Sequence, residues 1–182
     1  KQIGEQIITD TLRHTAMKSI LLRYFNPAGA HPSGKMGESP INPPQNLVPV
    51  ITETAIGRRG SMTVFGTDYP TRDGSCIRDY IHVTDLSTAH ILALDKLKKT
   101  NESIICNLGN GKGFSVKEVI DIAREVTGRN IKEAVAPRRQ GDPAVLVASS
   151  EKAQTELGWE PKYAQLETII ETAWNWHKSH PN

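Results

Sequence analysis

Apolar residues at Ile3, Ile7, Ile8 and Leu12 fall on one helical face, which predicts a helix from the start of the chain to about His14. Residues 19–25 are mostly apolar and β-compatible, as in a buried parallel strand. Asn26-Pro27 halts that strand, because proline has no N–H and restricts the residue before it. Residues 26–46 then read as one loop of roughly twenty residues, and loops of that length are frequently functional. A helix follows over 47–56, with Pro49 in its first turn. A short strand is predicted over 62–65, a polar loop over 66–76 and a strand over 77–83. Thr84-Asp85 opens a helix to about Lys98, with Leu86, Ala89, His90, Ala93, Leu94 and Leu97 on its inner side. After a strand over 103–108, Ser115 and Glu118 form a capping box. The helix they start turns Val119, Ile122, Ala123 and Val126 inward and stops at Gly128. Strands over 131–136 and 145–148 precede a helix capped by Ser149 or Ser150 and ending at Gly158. The last helix, about 166–178, buries Ile169, Ile170, Ala173 and Trp174. Strands alternating with helices define an α/β protein.

The chain's 182 residues suffice for one well-cored domain or for part of a larger protein. With 22 basic and 20 acidic residues the net charge is +2, which gives no reason to expect a nucleic-acid or anionic-membrane surface. No apolar run reaches membrane-spanning length and no signal peptide is visible. Cys76 and Cys106 lack metal-type spacing, which fits a reduced, cytoplasmic setting. The first helix has no capping residue before Lys1, so the chain reads as a fragment.

Candidate chemistry gathers where strands end, since ligands of open α/β sheets bind at their carboxyl ends. Asn26 is placed there to read a sugar or a carbonyl, or else to make a structural Asx-turn. Arg78-Asp79 interrupts one strand, and Arg138-Arg139-Gln140-Gly141-Asp142 forms a charged turn. Arginines on separate loops can clamp a diphosphate while a neighbouring carboxylate accepts from a ribose. The alternative is an internal ion pair within each segment. Gly109-Asn110-Gly111-Lys112-Gly113 resembles a phosphate loop but fits neither the Walker nor the dinucleotide spacing; a tight strand-to-helix connection accounts for it better. His31, His82 and His90 lack ligand spacing, so no metal site is expected. Trp159, Trp174 and Trp176 read as packing residues.

Several ordered segments carry a resemblance. They are Arg23-Tyr24-Phe25-Asn26-Pro27-Ala28-Gly29-Ala30-His31, Asn46-Leu47-Val48-Pro49, Val64-Phe65-Gly66-Thr67-Asp68-Tyr69-Pro70, Arg78-Asp79-Tyr80-Ile81-His82-Val83, Asn107-Leu108-Gly109 and Arg138-Arg139-Gln140-Gly141-Asp142. Together they resemble the C-terminal half of the UDP-glucose 4-epimerase family, within the extended short-chain dehydrogenases/reductases. The resemblance implies a C-terminal part of a Rossmann-like parallel sheet plus a smaller α/β substrate-binding domain. Residues 1–26 would belong to the NAD-binding Rossmann domain. Residues 27–182 would be mainly the nucleotide-sugar-binding domain, with some segments returning to the sheet.

The family inverts C4 of a UDP-hexose by oxidation with NAD and re-reduction on the other face, with a tyrosine as the matched base. Lys1 would be the lysine of its Tyr-x-x-x-Lys motif, holding the nicotinamide ribose and tuning a tyrosine that precedes this chain. The Gly-rich NAD fingerprint would also lie upstream, so the chain alone is expected to be inactive. By the same resemblance Tyr24 would lie near the nicotinamide and Asn26 against the sugar nucleotide. Asn46 and the Leu47 backbone would meet the phosphate and ribose, and Val64 and Phe65 the uracil. Arg78 and Arg139 would hold the diphosphate, Asp142 the uridine ribose, and Leu146 would stand beside the hexose. A homodimer through the N-terminal helix is implied as well. Related dehydratases, decarboxylases and other epimerases share this scaffold, and a UDP-sugar-binding module without catalysis is a further reading.

Overall fold

The computed structural model describes residues 1–180. Helix α1 (Gln2–His14) leads into strand β1 (Ile20–Tyr24). β1 pairs in parallel with β6 (Ile104–Leu108), from Ile20 opposite Ile104 to Tyr24 opposite Leu108. Parallel pairing requires a crossover, and helix α3 (Val83–Thr100) lies within it. Helix α5 (Glu151–Leu157) completes this layer. Its core is Ile81, Ala89, Ala93, Cys106, Leu108, Ala153, Leu157 and Trp159. The indole N–H of Trp159 donates to the Asp85 carbonyl at 3.0 Å. The buried Asp85 carboxylate accepts from the backbone N–H groups of Lys162 (2.9 Å) and Tyr163 (2.8 Å).

A second and larger core forms where helices α2 (Leu47–Ile56), α4 (Val116–Thr127) and α6 (Leu166–Ser179) pack over the parallel pair β3 (Met62–Phe65) and β8 (Glu133–Ala136). Val48, Ile51, Met62, Val64, Val119, Ile120, Leu166, Ile169, Ile170 and Trp174 are among its members. Two small sheets join the cores. Strand β2 (Asn26–Ala28) runs parallel to β5 (Tyr80–His82), with Asn26 opposite Tyr80. Strand β4 (Ile77–Arg78) lies between β7 (Phe114–Ser115) and β9 (Val145–Leu146). Segments of one core thus alternate along the chain with segments of the other.

Several expectations are corrected. β1 is only half-buried, with Arg23 and Tyr24 exposed. The loop after it begins with a paired strand, β2, because the carbonyls and N–H groups flanking Pro27 still meet β5. The strand expected over 77–83 breaks at Asp79, whose side chain is wholly buried. Helix α3 starts one residue before Thr84, capped by the His82 ring, which accepts from the Thr84 N–H at 3.1 Å. On α3, Ala89 and Ala93 are buried while His90 and Leu94 face outward, so the inner stripe is narrower than the periodicity suggested. On α4 the buried positions are Val119, Ile120 and Ala123, with Ile122 and Val126 at the margin of the core. Its capping box forms as expected. Ser150 sits at the N-cap of α5 but does not cap it; its hydroxyl instead bonds both backbone groups of Gly109.

Among the described residues no helix is long and apolar enough to cross a membrane, and no group of His, Cys, Asp and Glu is arranged to hold a metal ion.

Candidate functional site

β2, α2, β3, β4 and the turn after β8 converge on a cleft of about 450 Å³. Its walls include Asn26, Asn46, Leu47, Phe65, Arg78, Arg139 and Asp142, which lie far apart in the chain. That volume falls within the usual range for small-ligand sites.

Each side chain has a local reason for its position. The Asn26 side-chain amide donates to the Asp79 carbonyl at 2.7 Å, across the strand pair rather than into its own turn. This removes the Asx-turn reading and leaves Oδ1 without a partner among the described residues. Asn46 caps α2 in extended conformation and its side chain makes no capping bond. The helix N-terminus beside it therefore presents unpaired N–H groups towards the cleft, a favourable setting for an anion.

The charges pair between segments, not within them. The Arg78 guanidinium meets Asp142 Oδ1 at 2.5 Å and also donates to the Ile77 carbonyl at 2.7 Å. Neighbouring arginines in the later turn separate. Arg138 turns away to Asp68 and lies over the Tyr69 ring, while Arg139 lies over the Phe65 ring at 3.8 Å. The Arg138 bond holds the Asp68 carboxyl below its ordinary range. Arg59, paired with Glu53, adds a third guanidinium to the rim.

Asp79, next to Arg78, is not an ion-pair partner of it. Its carboxylate accepts from the backbone N–H groups of Asn110 (2.9 Å), Gly111 (3.0 Å) and Ala148 (3.1 Å). The glycine-rich loop over 109–113 thus binds an anion, but an internal one. This accounts for Gly109, where a Cβ would stand 2.5 Å from Asp79 Oδ2.

The remaining expected residues lie elsewhere. Val64 faces the core and is 1% exposed; Thr63 and Phe65, on the other face of β3, line the cleft together with Met62 at the start of the strand. Leu146 is exposed on β9 and does not line the cleft. Lys1 is exposed ahead of α1. Tyr24 is half-exposed at the end of β1, its ring 6.5 Å from that of His90. Sequence reasoning missed Thr63, Tyr80, Gln45, Ser61, Cys76 and Arg59 as cleft residues. Period-two alternation from Phe65 would have found Thr63; the others carried no signal.

Parallel strands of an α/β protein thus end at a cleft lined by two asparagines, paired and stacked arginines and an aromatic wall. Residues 1–172 match the model of the family described as GDP-mannose 4,6 dehydratase, and the chain belongs to that family. It is similar to UDP-glucose 4-epimerases. That of Halalkalibacterium halodurans is 59% identical over 166 residues, 91% of this chain and 49% of the relative. That of Lactobacillus helveticus is 47% identical over 181 residues, 100% of this chain and 54% of the relative. A solved UDP-glucose 4-epimerase from Bifidobacterium longum, in complex with NAD+ and UDP, superposes with a TM-score of 0.94 at 40% identity, covering 100% of this chain and 54% of that one. The one from Stenotrophomonas maltophila, with NAD and a formylated UDP-arabinopyranose, gives 0.94 at 42% identity, with 98% and 53% covered. The chain spans about half the length of the curated relatives it matches.

Proposed function

We propose that this chain is the nucleotide-sugar-binding part of an NAD-dependent UDP-glucose 4-epimerase, interconverting UDP-glucose and UDP-galactose. The observation that carries the reading is the convergence of Asn26, Asn46, Phe65, Arg78, Arg139 and Asp142 on one cleft. Arg78 and Arg139 hold the diphosphate, with the N-terminus of α2 behind it. Phe65 and the backbone of β3 flank the uracil, and Val64 takes part through that backbone. Asp142, already fixed by Arg78, accepts from the uridine ribose, and Asn26 uses its free oxygen on the sugar nucleotide. Leu146, exposed on β9 outside the cleft wall, would meet only a hexose that extends beyond it.

The cofactor fits the other face. Tyr24 presents a half-exposed ring at the carboxyl end of β1, suited to a nicotinamide, and Lys1 is an exposed ammonium suited to its ribose. When bound, NAD supplies hydride acceptance and return at C4 of the hexose. Residues 1–182 contain neither a Tyr-x-x-x-Lys tyrosine nor a Gly-rich fingerprint, so by themselves they bind without turnover. Ile3 and Ile7, exposed on α1, support a homodimer through that helix, and the two buried free thiols favour the reducing cytoplasm.

Calorimetry with UDP, UMP and uridine tests the site. Binding strengthens with each phosphate if Arg78 and Arg139 form the clamp; equal affinity for UDP and uridine rejects it. Incubation with NAD and UDP-galactose tests the chemistry. Epimerisation by this chain alone would overturn the assignment of the base, and a 4-keto-6-deoxy product would favour the dehydratase activity in the family's description instead.

A further inference from the structure

We propose that Tyr80 is an additional ligand-binding residue of this cleft, whose hydroxyl donates a hydrogen bond to the diphosphate beside Arg78. The inference rests on the reading of the cleft as a nucleoside-diphosphate site. Tyr80 is 3% exposed, and its ring belongs to the larger core. The residue nevertheless lines the cleft, in β5 opposite Asn26 and two positions after Arg78. Parallel partners in a sheet point to the same face, so Tyr80 and Asn26 look into the same space. Among the described residues the Tyr80 hydroxyl has no hydrogen-bond partner within the chain. It also differs from the Tyr69 hydroxyl, which is sealed from solvent without a partner. What exposure Tyr80 retains is therefore towards the cleft.

A phenol held this way would sit beside a cation with no acceptor, which costs free energy unless a ligand supplies one. Burial also pushes the Tyr80 phenol well above its ordinary pKa, with Asp79 and Cys76 adding to the rise and Arg78 opposing it. It keeps its proton throughout the physiological range and so remains able to donate to an anion. A neutral donor complements the arginines because it bonds a phosphate oxygen without adding charge that must be desolvated.

The test replaces Tyr80→Phe, which keeps the ring in the core and removes only the donor. Isothermal calorimetry on the chain is expected to show UDP binding weakened about tenfold or more, the value of a hydrogen bond to a charged group, with uridine affinity unchanged within about twofold. A thermal melt within about 2 °C of the parent is expected alongside, as no intrachain bond is lost. UDP affinity unchanged in Y80F, while Arg78→Ala weakens binding about tenfold or more, would overturn this proposal and leave the site reading intact. Absence of UDP binding by the parent chain would overturn both. Fluorine NMR on the chain made with fluorotyrosine gives a second readout that does not depend on the variant's stability. One tyrosine resonance in the buried range should move with UDP and stay still with uridine; no movement of any buried tyrosine refutes the contact.

Discussion

Asp79→Asn is the most informative stability experiment on this molecule. The aspartate is 0% exposed, and its two oxygens accept three backbone N–H groups, from Asn110, Gly111 and Ala148. Asparagine has the same shape but only one oxygen. Placed where Oδ2 stands, that oxygen keeps Gly111 and Ala148, and the NH₂ group then faces the Asn110 N–H. Placed at Oδ1 it keeps one bond and opposes two donors, so the first arrangement is preferred. One charge-assisted bond is lost, two become neutral, and a buried N–H is orphaned, against a gain from no longer burying a charge. Lost bonds to charged groups and orphaned donors are each worth roughly 1–3 kcal/mol, and the returned desolvation offsets part of their sum. A net destabilisation of about 3 kcal/mol is expected, corresponding to a fall in Tm of about 6–12 °C for a domain of this size. Calorimetric melting measures it, with Asp95→Asn on the exposed face of α3 as the control, expected to shift by about 0.5 kcal/mol or less. UDP affinity should fall too, because the same carboxylate ties β9 and the 109–113 loop to the strand carrying Arg78. A fall in Tm below about 2 °C would show that the three bonds are not what holds this junction.

Arg78→Ala removes the proposed diphosphate contact and takes from the partly buried Asp142 its ion-pair partner; UDP affinity should drop about tenfold to a hundredfold by titration, and more than UMP affinity. Arg139→Ala should weaken UDP by a similar factor while Arg138→Ala, paired with Asp68 outside the cleft, should not. Gly109→Ala puts a Cβ 2.5 Å from Asp79 Oδ2 and 2.6 Å from the Ala148 Cβ, and overpacking of that kind should cost about 1–3 kcal/mol in denaturant unfolding. Burial lowers the pKa of His82, which Asp85 opposes and His31 reinforces, and burial also lowers that of His177. Both rings then bind fewer protons folded than unfolded. Stability should be full above the ordinary histidine value of about 6.5 and decline as the pH falls from there towards the lowered folded values. The geometry agrees, since protonating His82 sets an N–H against the Thr84 N–H that it caps. His82→Asn, which retains a capping acceptor, should flatten that decline in melts from pH 7 to 5, leaving the part due to His177.

Local chemistry along the chain was enough to place most elements. The Ser115 capping box, the glycines ending α2, α4 and α5 in left-handed conformation, and the apolar stripe of α6 act within a few residues of themselves. The motifs that would meet a nucleotide sugar could likewise be read in order, because each is a short run with its own chemistry. Their partners could not. Arg78 joins Asp142 rather than Asp79, and Asp79 fills the glycine loop that looked ready for a phosphate. Ser150 leaves its helix for Gly109, and Tyr80 carries a core ring to the cleft wall. Each of these depends on which strand lies beside which, and the order β7-β4-β9 and the pairing of β2 with β5 bring together residues tens of positions apart. Sequence determines what a residue can donate, accept or bury over one or two turns of chain. Which donor meets which acceptor follows from long-range packing, where a buried polar group takes whatever partner the sheet order places within about 3 Å.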